Sequence, residues 1–381
     1  MADFIEAPVL ERPSESETNL LRLGFMPLTD CAPLLVADEL GMFDRHGVAV
    51  RLTRLAAWVA LRDRIAIGQL DGGQMLSPMP IAAHLGLGGL RTDLAVVSVI
   101  ARQGNTITFS EQLMAEIAAA NPGLALSLPL QATALAAAIA GRRASGQPAP
   151  RLAMVFPFSS HNYLLRHWLA SAGIDPEHDV ELTAVPPPLV ASELAEGRID
   201  GFCAGQPWGS RAVDLRCGRI ALTTGDIWPN HPEKVMAVSA ERLARTPEQV
   251  VSAVAALIEA GIWLQNPANI PHTVDILHRR AMPDVPEAVL AQSLTDQLIA
   301  APDEAPITAP GLQFGPDATY PHPDHAIWWL QQMQRWQHAP ADISPDRIAR
   351  LWRPDIWRRG AEQAGVATDA PAMPPCPGEP A

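Results

Sequence analysis

Lys234 stands out first. Of the 28 basic residues in the chain all but this one are arginine. Codon usage can enrich arginine, but it does not explain one retained lysine. An ammonium is a compact point donor where a guanidinium is a planar fork, and a small pocket around a small anion suits the former. Lys234 closes the densest polar run of the sequence, Asp226-Ile-Trp-Pro-Asn-His-Pro-Glu-Lys234, in which Pro229 and Pro232 stiffen the backbone. Such a loop can hold donors in place before a ligand arrives; the plainer alternative is a surface loop between strands. His161 is the second candidate. It lies in Ser159-Ser160-His161-Asn162, straight after the apolar run LAMVFPF. Ser159 or Ser160 suits a helix N-cap, which sets His161 in the first turn, beside backbone N–H groups that attract anions. Gln103 and Asn105, in RQGNTIT, can donate amide hydrogens to a planar oxyanion, or simply form a turn.

Other reactive chemistry finds no support. The sequence has no GxSxG, GxxxxGK[ST] or HExxH motif and no dinucleotide-binding glycine pattern. Its 4 cysteines (31, 203, 217 and 376) have neither zinc-type nor redox-type spacing. No enzyme activity, metal or cofactor is expected. A net charge of −13 argues against an extended nucleic-acid or anionic-membrane surface, so any anion must be held locally. At 48% hydrophobic and 18% charged the chain can bury more than one core. No run approaches the roughly 18–20 uncharged apolar residues of a membrane span.

The elements that position these residues follow from periodicity. Short strands are expected at residues 21–25, 48–53, 71–75 and 93–101, with helices at 33–42 and 58–69 and another opened by Ser77-Pro78-Met79-Pro80. This alternation implies βαβ units and a parallel sheet. Thr29 and Asp30 sit between the first strand and helix, with Asp30 a plausible cap; Trp58 opens the second helix. Helices at 110–120 and 131–143 lead to a second α/β run. It has strands at 152–156, 180–185, 201–204 and 220–224, helices at 160–172 and 187–196, a helix opened by Trp208, and a last strand at 234–238. From residue 247 onward the chain reads as helical, interrupted by proline-rich residues 301–324. The first 20 residues carry five acidic groups and no apolar leader pattern, so a cytoplasmic location is expected.

The stretches GFMPLTDCAPLLVADELGMF, AAWVALRDRIAIGQLDGGQMLSPMPIA, FPFSSHNYLLRHWLASAGIDPEHDVEL and TTGDIWPNHPEKV resemble the nitrate-binding family, in order from Leu21 to Trp336. That family comprises substrate-binding proteins of nitrate and bicarbonate ABC transporters and a cytoplasmic nitrate/nitrite sensor, NasS. The resemblance implies an α/β, two-lobed periplasmic-binding-protein-like fold (type II, venus-flytrap) with a hinged interlobe cleft. It implies Trp58, Gln103 or Asn105, His161 and Lys234 as ligand-binding residues, with Thr29, Asp30, Pro78, Ser160 and Trp208 behind them. The expected division is a polar tail at 1–19, lobe 1 at 20–102 and 224–300, and lobe 2 at 103–223. A helical extension at 301–367 packs on lobe 1, followed by a disordered proline-rich tail at 368–381. Gln206, in GQPW, stands where the family usually has an acidic residue. Together with the leader-poor start, the resemblance leans to the NasS type. It implies a sensor of nitrate or nitrite that controls nitrate assimilation through a NasT-like ANTAR-type antiterminator protein, without touching nucleic acid or membrane itself. The alternatives are the substrate-binding component of a nitrate or bicarbonate transporter, the bicarbonate binders using a calcium-assisted site, and an enzyme on the same fold.

Overall fold

The computed structural model describes residues 20–124, 127–373 and 375–378; the polar tail expected at 1–19 lies outside them. The first sheet has five strands in the order β2-β1-β3-β10-β4: β1 is Leu20–Phe25, β2 Ala49–Arg54, β3 Gly72–Leu76, β4 Leu94–Arg102 and β10 Pro232–Ser239. The second also has five, in the order β7-β6-β8-β5-β9: β5 is Asn105–Ser110, β6 Arg151–Met154, β7 Glu181–Ala184, β8 Gly201–Gly205 and β9 Gly218–Thr223. The helices around the site are α1 (Ala32–Glu39), α2 (Trp58–Ala66), α3 (Met79–Leu85), α4 (Ser160–Ala170) and α5 (Trp208–Asp214). Three more matter below: α6 (Pro247–Leu264), α7 (Pro323–Arg335) and α8 (Pro354–Gln363).

The sheets are mixed, not purely parallel as the βαβ pattern predicts. β1–β2, β1–β3, β6–β7 and β6–β8 pair in parallel. Each sheet also contains one reversed strand that arrives from the other lobe. β10 runs antiparallel between β3 and β4, and β5 antiparallel between β8 and β9. A chain that crosses between lobes re-enters with its direction reversed, and local periodicity carries no trace of that. β5 went unrecognised for the same reason: its polar NTIT start hides a strand whose first five residues are buried.

Two crossings form the hinge. One is Gln103-Gly104, both in the left-handed region at φ 58° and 83°; the other runs from Thr224 to His231. The Gln103 N–H donates to His231 O at 3.1 Å, tying the two together. The Arg102 guanidinium fastens the pair to the C-terminal segment, donating to Ala318 O at 2.9 Å and Asn230 O at 3.1 Å. A third connection is non-covalent. Residues 296–313, expected partly as lobe 1 helix and partly as extension, instead reach across to lobe 2. Ile220 N–H donates to Ala300 O at 2.8 Å, while Gln313 and Arg102 exchange backbone hydrogen bonds on the lobe 1 side.

The C-terminal helices complete lobe 1. α8 packs on α6 and the edge of β4. Helix α6 is long and apolar enough to span a bilayer, contrary to the reading from sequence, yet ten of its residues are buried within the protein. Trp328 and Trp329 on α7 stack against Trp228 of the second crossing, with centroids 4.5 and 5.3 Å apart. The tail also departs from expectation: Trp328 Nε1 donates to Pro377 O at 3.1 Å, so residues 375–378 are docked. Residues 374 and 379–381 lie outside the described residues.

Candidate anion site between the lobes

Lys234 is completely buried at the start of β10, paired in register with Leu76 and Ala101. Neighbouring side chains on a regular strand point to opposite faces. Here β10 is irregular on both sides of Lys234, and the irregularity re-aims the strand, so Glu233 and Lys234 converge. Lys234 Nζ donates to Glu233 Oε1 at 2.6 Å and pairs with Asp30 Oδ2 at 2.9 Å. Asp30 does not cap α1: the N-cap is Cys31, with no side-chain cap bond. Its second oxygen accepts from Gln74 Nε2, and Gln74 Oε1 accepts from Met26 N at 2.9 Å.

Lobe 2 meets this cluster through α4. Ser159 is the N-cap, accepting from Asn162 N at 3.0 Å. That frees Ser160, whose hydroxyl donates to Glu233 Oε1 at 2.7 Å. His161 Nε2 lies 3.5 Å from the same oxygen, and His231 Nδ1 is 3.6 Å from Glu233 Oε2. Asn105 opens β5 opposite Gly205. Its side-chain oxygen and Asp30 Oδ2 both lie within 3.5 Å of where a Cβ on Gly205 would sit, so Asn105 borders the cluster. Trp58 opens α2, and Lys234 Nζ is 5.7 Å from its ring centroid. Outside the indole, Val59, Phe156 and Phe158 help line an apolar groove of about 380 Å³ at the seam of the lobes.

Gln103 and Asn105 were alternatives, and the structure separates them. The Gln103 side chain turns away, donating to Gly311 O at 3.3 Å and Asn230 Oδ1 at 3.4 Å. Its positive φ rotates the side chain off the line of β4, so Gln103 is a hinge residue and not part of the cluster. Asn105 is fully buried, and neither side-chain polar atom has a hydrogen-bond partner among the described residues. The same holds for Trp58 Nε1, both His161 ring nitrogens and Glu233 Oε2. Asp30 Oδ2 and His231 Nδ1 also lack a hydrogen bond. Buried polar groups nearly always have partners; six residues with such atoms around one lysine, contributed by both lobes, make this the candidate ligand site.

The supporting positions differ in how they act. Thr29 Oγ1 bonds Ser293 Oγ at 2.7 Å and Thr29 N–H donates to Gln206 O at 2.9 Å, a bridge between lobes. Trp208 Nε1 donates to Pro27 O at 3.2 Å, a second bridge. Pro78 is the buried N-cap of α3, one residue after Ser77, whose N–H donates to Glu233 O at 3.1 Å. Gln206 Oε1 accepts from Ser210 N at 3.3 Å, within α5's first turn. Asp226, the other acid in the polar run, caps the turn at Thr223 and stays out of the cluster. Glu233, Gln74 and His231 were missed as site residues. The adjacency of Glu233 to the lone lysine was the available signal; on a regular strand neighbouring side chains point to opposite faces, so local pattern alone does not bring the two together.

The charges are set by burial and by one another. Burial lifts the Asp30 carboxyl to about 6, outweighing Lys234 beside it. For Glu233 burial pulls upward as well, but the Lys234 ammonium overrides it and holds the carboxyl well below its usual range. Burial opposes the charge of Lys234, while Asp30 and Glu233 raise its pKa and keep it protonated. Burial pushes His161 down to about 3 and His231 to about 4, so both imidazoles are neutral at pH 7. One ammonium thus faces two carboxylates.

Residues 14–278 match the NMT1-like family. The chain belongs to that family. It is 36% identical to the nitrate import ATP-binding protein NrtC of Synechocystis sp., over 91% of the chain but only 50% of that protein, so it spans about half of this relative's length. It is 30% identical to the bicarbonate-binding protein CmpA of Synechococcus elongatus, covering 96% of the chain and 83% of CmpA. Among solved structures, the periplasmic nitrate-binding protein NrtA from Synechocystis superposes with a TM-score of 0.84 at 27% identity, over 93% of this chain and 92% of that one. The family member is therefore an α/β protein of the two-lobed periplasmic-binding-protein fold, similar to nitrate- and bicarbonate-binding proteins.

Proposed function

We propose that this chain is a binding protein for a small planar oxyanion, with nitrate as its ligand, held where the two lobes meet. The carrying observation is that Trp58, Asn105 and His161, whose buried side-chain polar atoms have no hydrogen-bond partner among the described residues, are grouped around Lys234 and its carboxylates Asp30 and Glu233. Nitrate is planar, singly charged and weakly hydrated. Charge-assisted hydrogen bonds from such a set are worth roughly 1.5–3 kcal/mol each, and the indole wall keeps water out. The likeness to NrtA supports nitrate. A second reading is bicarbonate, favoured by Glu233 Oε2, a buried acceptor without a hydrogen-bond partner, and by the likeness to CmpA.

The relatives support the role of a substrate-binding component in an ABC importer. The narrower role expected from the sequence, a cytoplasmic sensor of nitrate or nitrite that holds a NasT-like antiterminator, draws its support from the resemblance alone. Calorimetric titration with nitrate, nitrite and bicarbonate, with and without calcium, tests the ligand. Nitrate binding independent of calcium is expected; heat only from bicarbonate with calcium overturns the nitrate reading. Cell fractionation and pull-down with and without nitrate then distinguish a transporter partner from an antiterminator.

A further inference from the structure

The hydrogen-bonding capacity of the buried cluster carries an inference that rests on the oxyanion reading above and goes beyond it. Nitrate is an acceptor only, so every protein atom facing it must present a proton. Lys234 does so, but it already serves Asp30 Oδ2 and Glu233 Oε1. His161 is the group whose protonation decides the rest. Its Nε2 lies 3.5 Å from Glu233 Oε1, a carboxylate oxygen already accepting from Ser160 and Lys234. A lone pair aimed at a carboxylate is repelled, so Nε2 carries the hydrogen in the neutral ring. Nδ1 is then a lone pair, equally repelled by an oxyanion. A neutral imidazole can satisfy Glu233 or the ligand, but not both; imidazolium donates from both nitrogens.

Charge leads to the same point. Three formal charges meet in a fully buried space, one positive and two negative. Adding a monovalent anion without a counter-charge places three negative charges around one ammonium, where desolvation is costly. We propose that the site takes up its oxyanion together with one proton, and that His161 is the residue that carries it. The groups facing His161 agree with this. Glu233 and Lys234 come from β10, His231 from the second crossing, and the Cys203 thiol on β8 lies near the same pair. Asp30, from the turn before α1, acts through Lys234. The N-terminus of α4 disfavours a cation at His161 until an anion is beside it, and burial keeps the free imidazole neutral. Asp30 is the rival proton acceptor: burial already lifts its carboxyl to about 6, and its Oδ2 is ion-paired to Lys234 at 2.9 Å but has no hydrogen-bond partner among the described residues. A proton there, however, weakens that ion pair and adds no donor from lobe 2, whereas a proton on His161 does add one.

The test is calorimetry of the full chain with sodium nitrate in buffers of contrasting ionisation enthalpy. Uptake of one proton per nitrate is expected, with Kd rising about tenfold per unit increase in pH on both sides of neutrality. His161→Gln keeps a single neutral donor; it should bind more weakly, with no proton uptake and a flat pH profile. Asp30→Asn should retain the uptake, whatever its affinity. In wild-type protein with ¹⁵N-labelled histidine, the His161 ring should show both nitrogens protonated in the nitrate complex and one protonated without nitrate. Buffer-independent heats with a pH-independent Kd overturn the proton coupling while leaving nitrate as ligand. Uptake kept in His161→Gln and lost in Asp30→Asn overturns the assignment to His161. No nitrate heat at any pH overturns the ligand reading, and the proposal with it.

Discussion

Lys234 does two jobs, and they separate on substitution. It offers charge to a ligand, and it compensates Asp30 and Glu233, both completely buried or nearly so. Removing one partner of a buried ion pair costs roughly 3–5 kcal/mol, because the remaining charge keeps its desolvation penalty. Lys234→Met is therefore expected to abolish nitrate binding and to lower stability by about that amount at pH 7. Adding Asp30→Asn and Glu233→Gln should recover most of the stability and none of the binding. Urea unfolding of the wild type, the single variant and the triple variant measures this; a fully stable single mutant would mean that the carboxylates find other compensation. The lone lysine was legible at once from composition. That it is already paired was not, since Asp30 is about 200 residues away in sequence and reads locally as a helix cap.

At the scale of elements, the site depends on strands held unusually close. The strand β3 carries Gln74, which orients Asp30, and its neighbour Gly73 faces the backbone of β1. A Cβ at Gly73 would sit 2.2 Å from Gly24 O, a backbone atom that cannot swing aside. Overpacking of this kind costs about 1–3 kcal/mol. Gly73→Ala is expected to lower the urea midpoint and also to weaken nitrate binding, by shifting Gln74 relative to Asp30; unchanged affinity would mean that Asp30 is held by Lys234 alone. Alternation of strands and helices was readable along most of the chain, because buried strands such as β4 and capped helices such as α4 write their pattern locally. The reversal of β5 and β10 and the irregularity at Lys234 were not, since both express pairing with distant strands.

Across the whole molecule the histidines set the response to acid. Burial pushes His161, His167, His231 and His322 down, to about 3 for the first and about 4 for the others, and holds His325 well below its usual value. A base whose folded pKa is depressed stabilises the fold above its unfolded value, and that contribution is lost as pH falls through the window between the two. For fully buried His231 the window runs from 6.5 to about 4, which amounts to about 3 kcal/mol. Asp30, raised to about 6, works the other way: its contribution is present below 3.8 and lost as pH rises through 6. The histidines outnumber it. Stability should fall steadily from pH 6.5 to pH 4, with unfolding at pH 5 taking up more than two protons. The slope of unfolding free energy against pH measures this, and a flat profile would show these rings to be partnered in solution.

Composition and local pattern were enough to determine the family resemblance, the two α/β runs, the loops that carry the polar residues, and the candidates His161 and Lys234, with Trp58 added by the resemblance. Those are properties of short stretches, where side-chain spacing and capping act directly on the backbone. Only the tertiary structure decided that Asn105 borders the cluster while Gln103 belongs to the hinge. The same holds for Glu233 as the meeting point of α4 and β10, and for residues 296–313 spanning from lobe 1 to lobe 2. Each of these depends on a backbone angle or a strand register imposed by partners far along the chain. Burial then completes the chemistry: it makes the charges of Asp30, Glu233, Lys234 and His161 depend on one another, and no single segment of sequence contains that coupling.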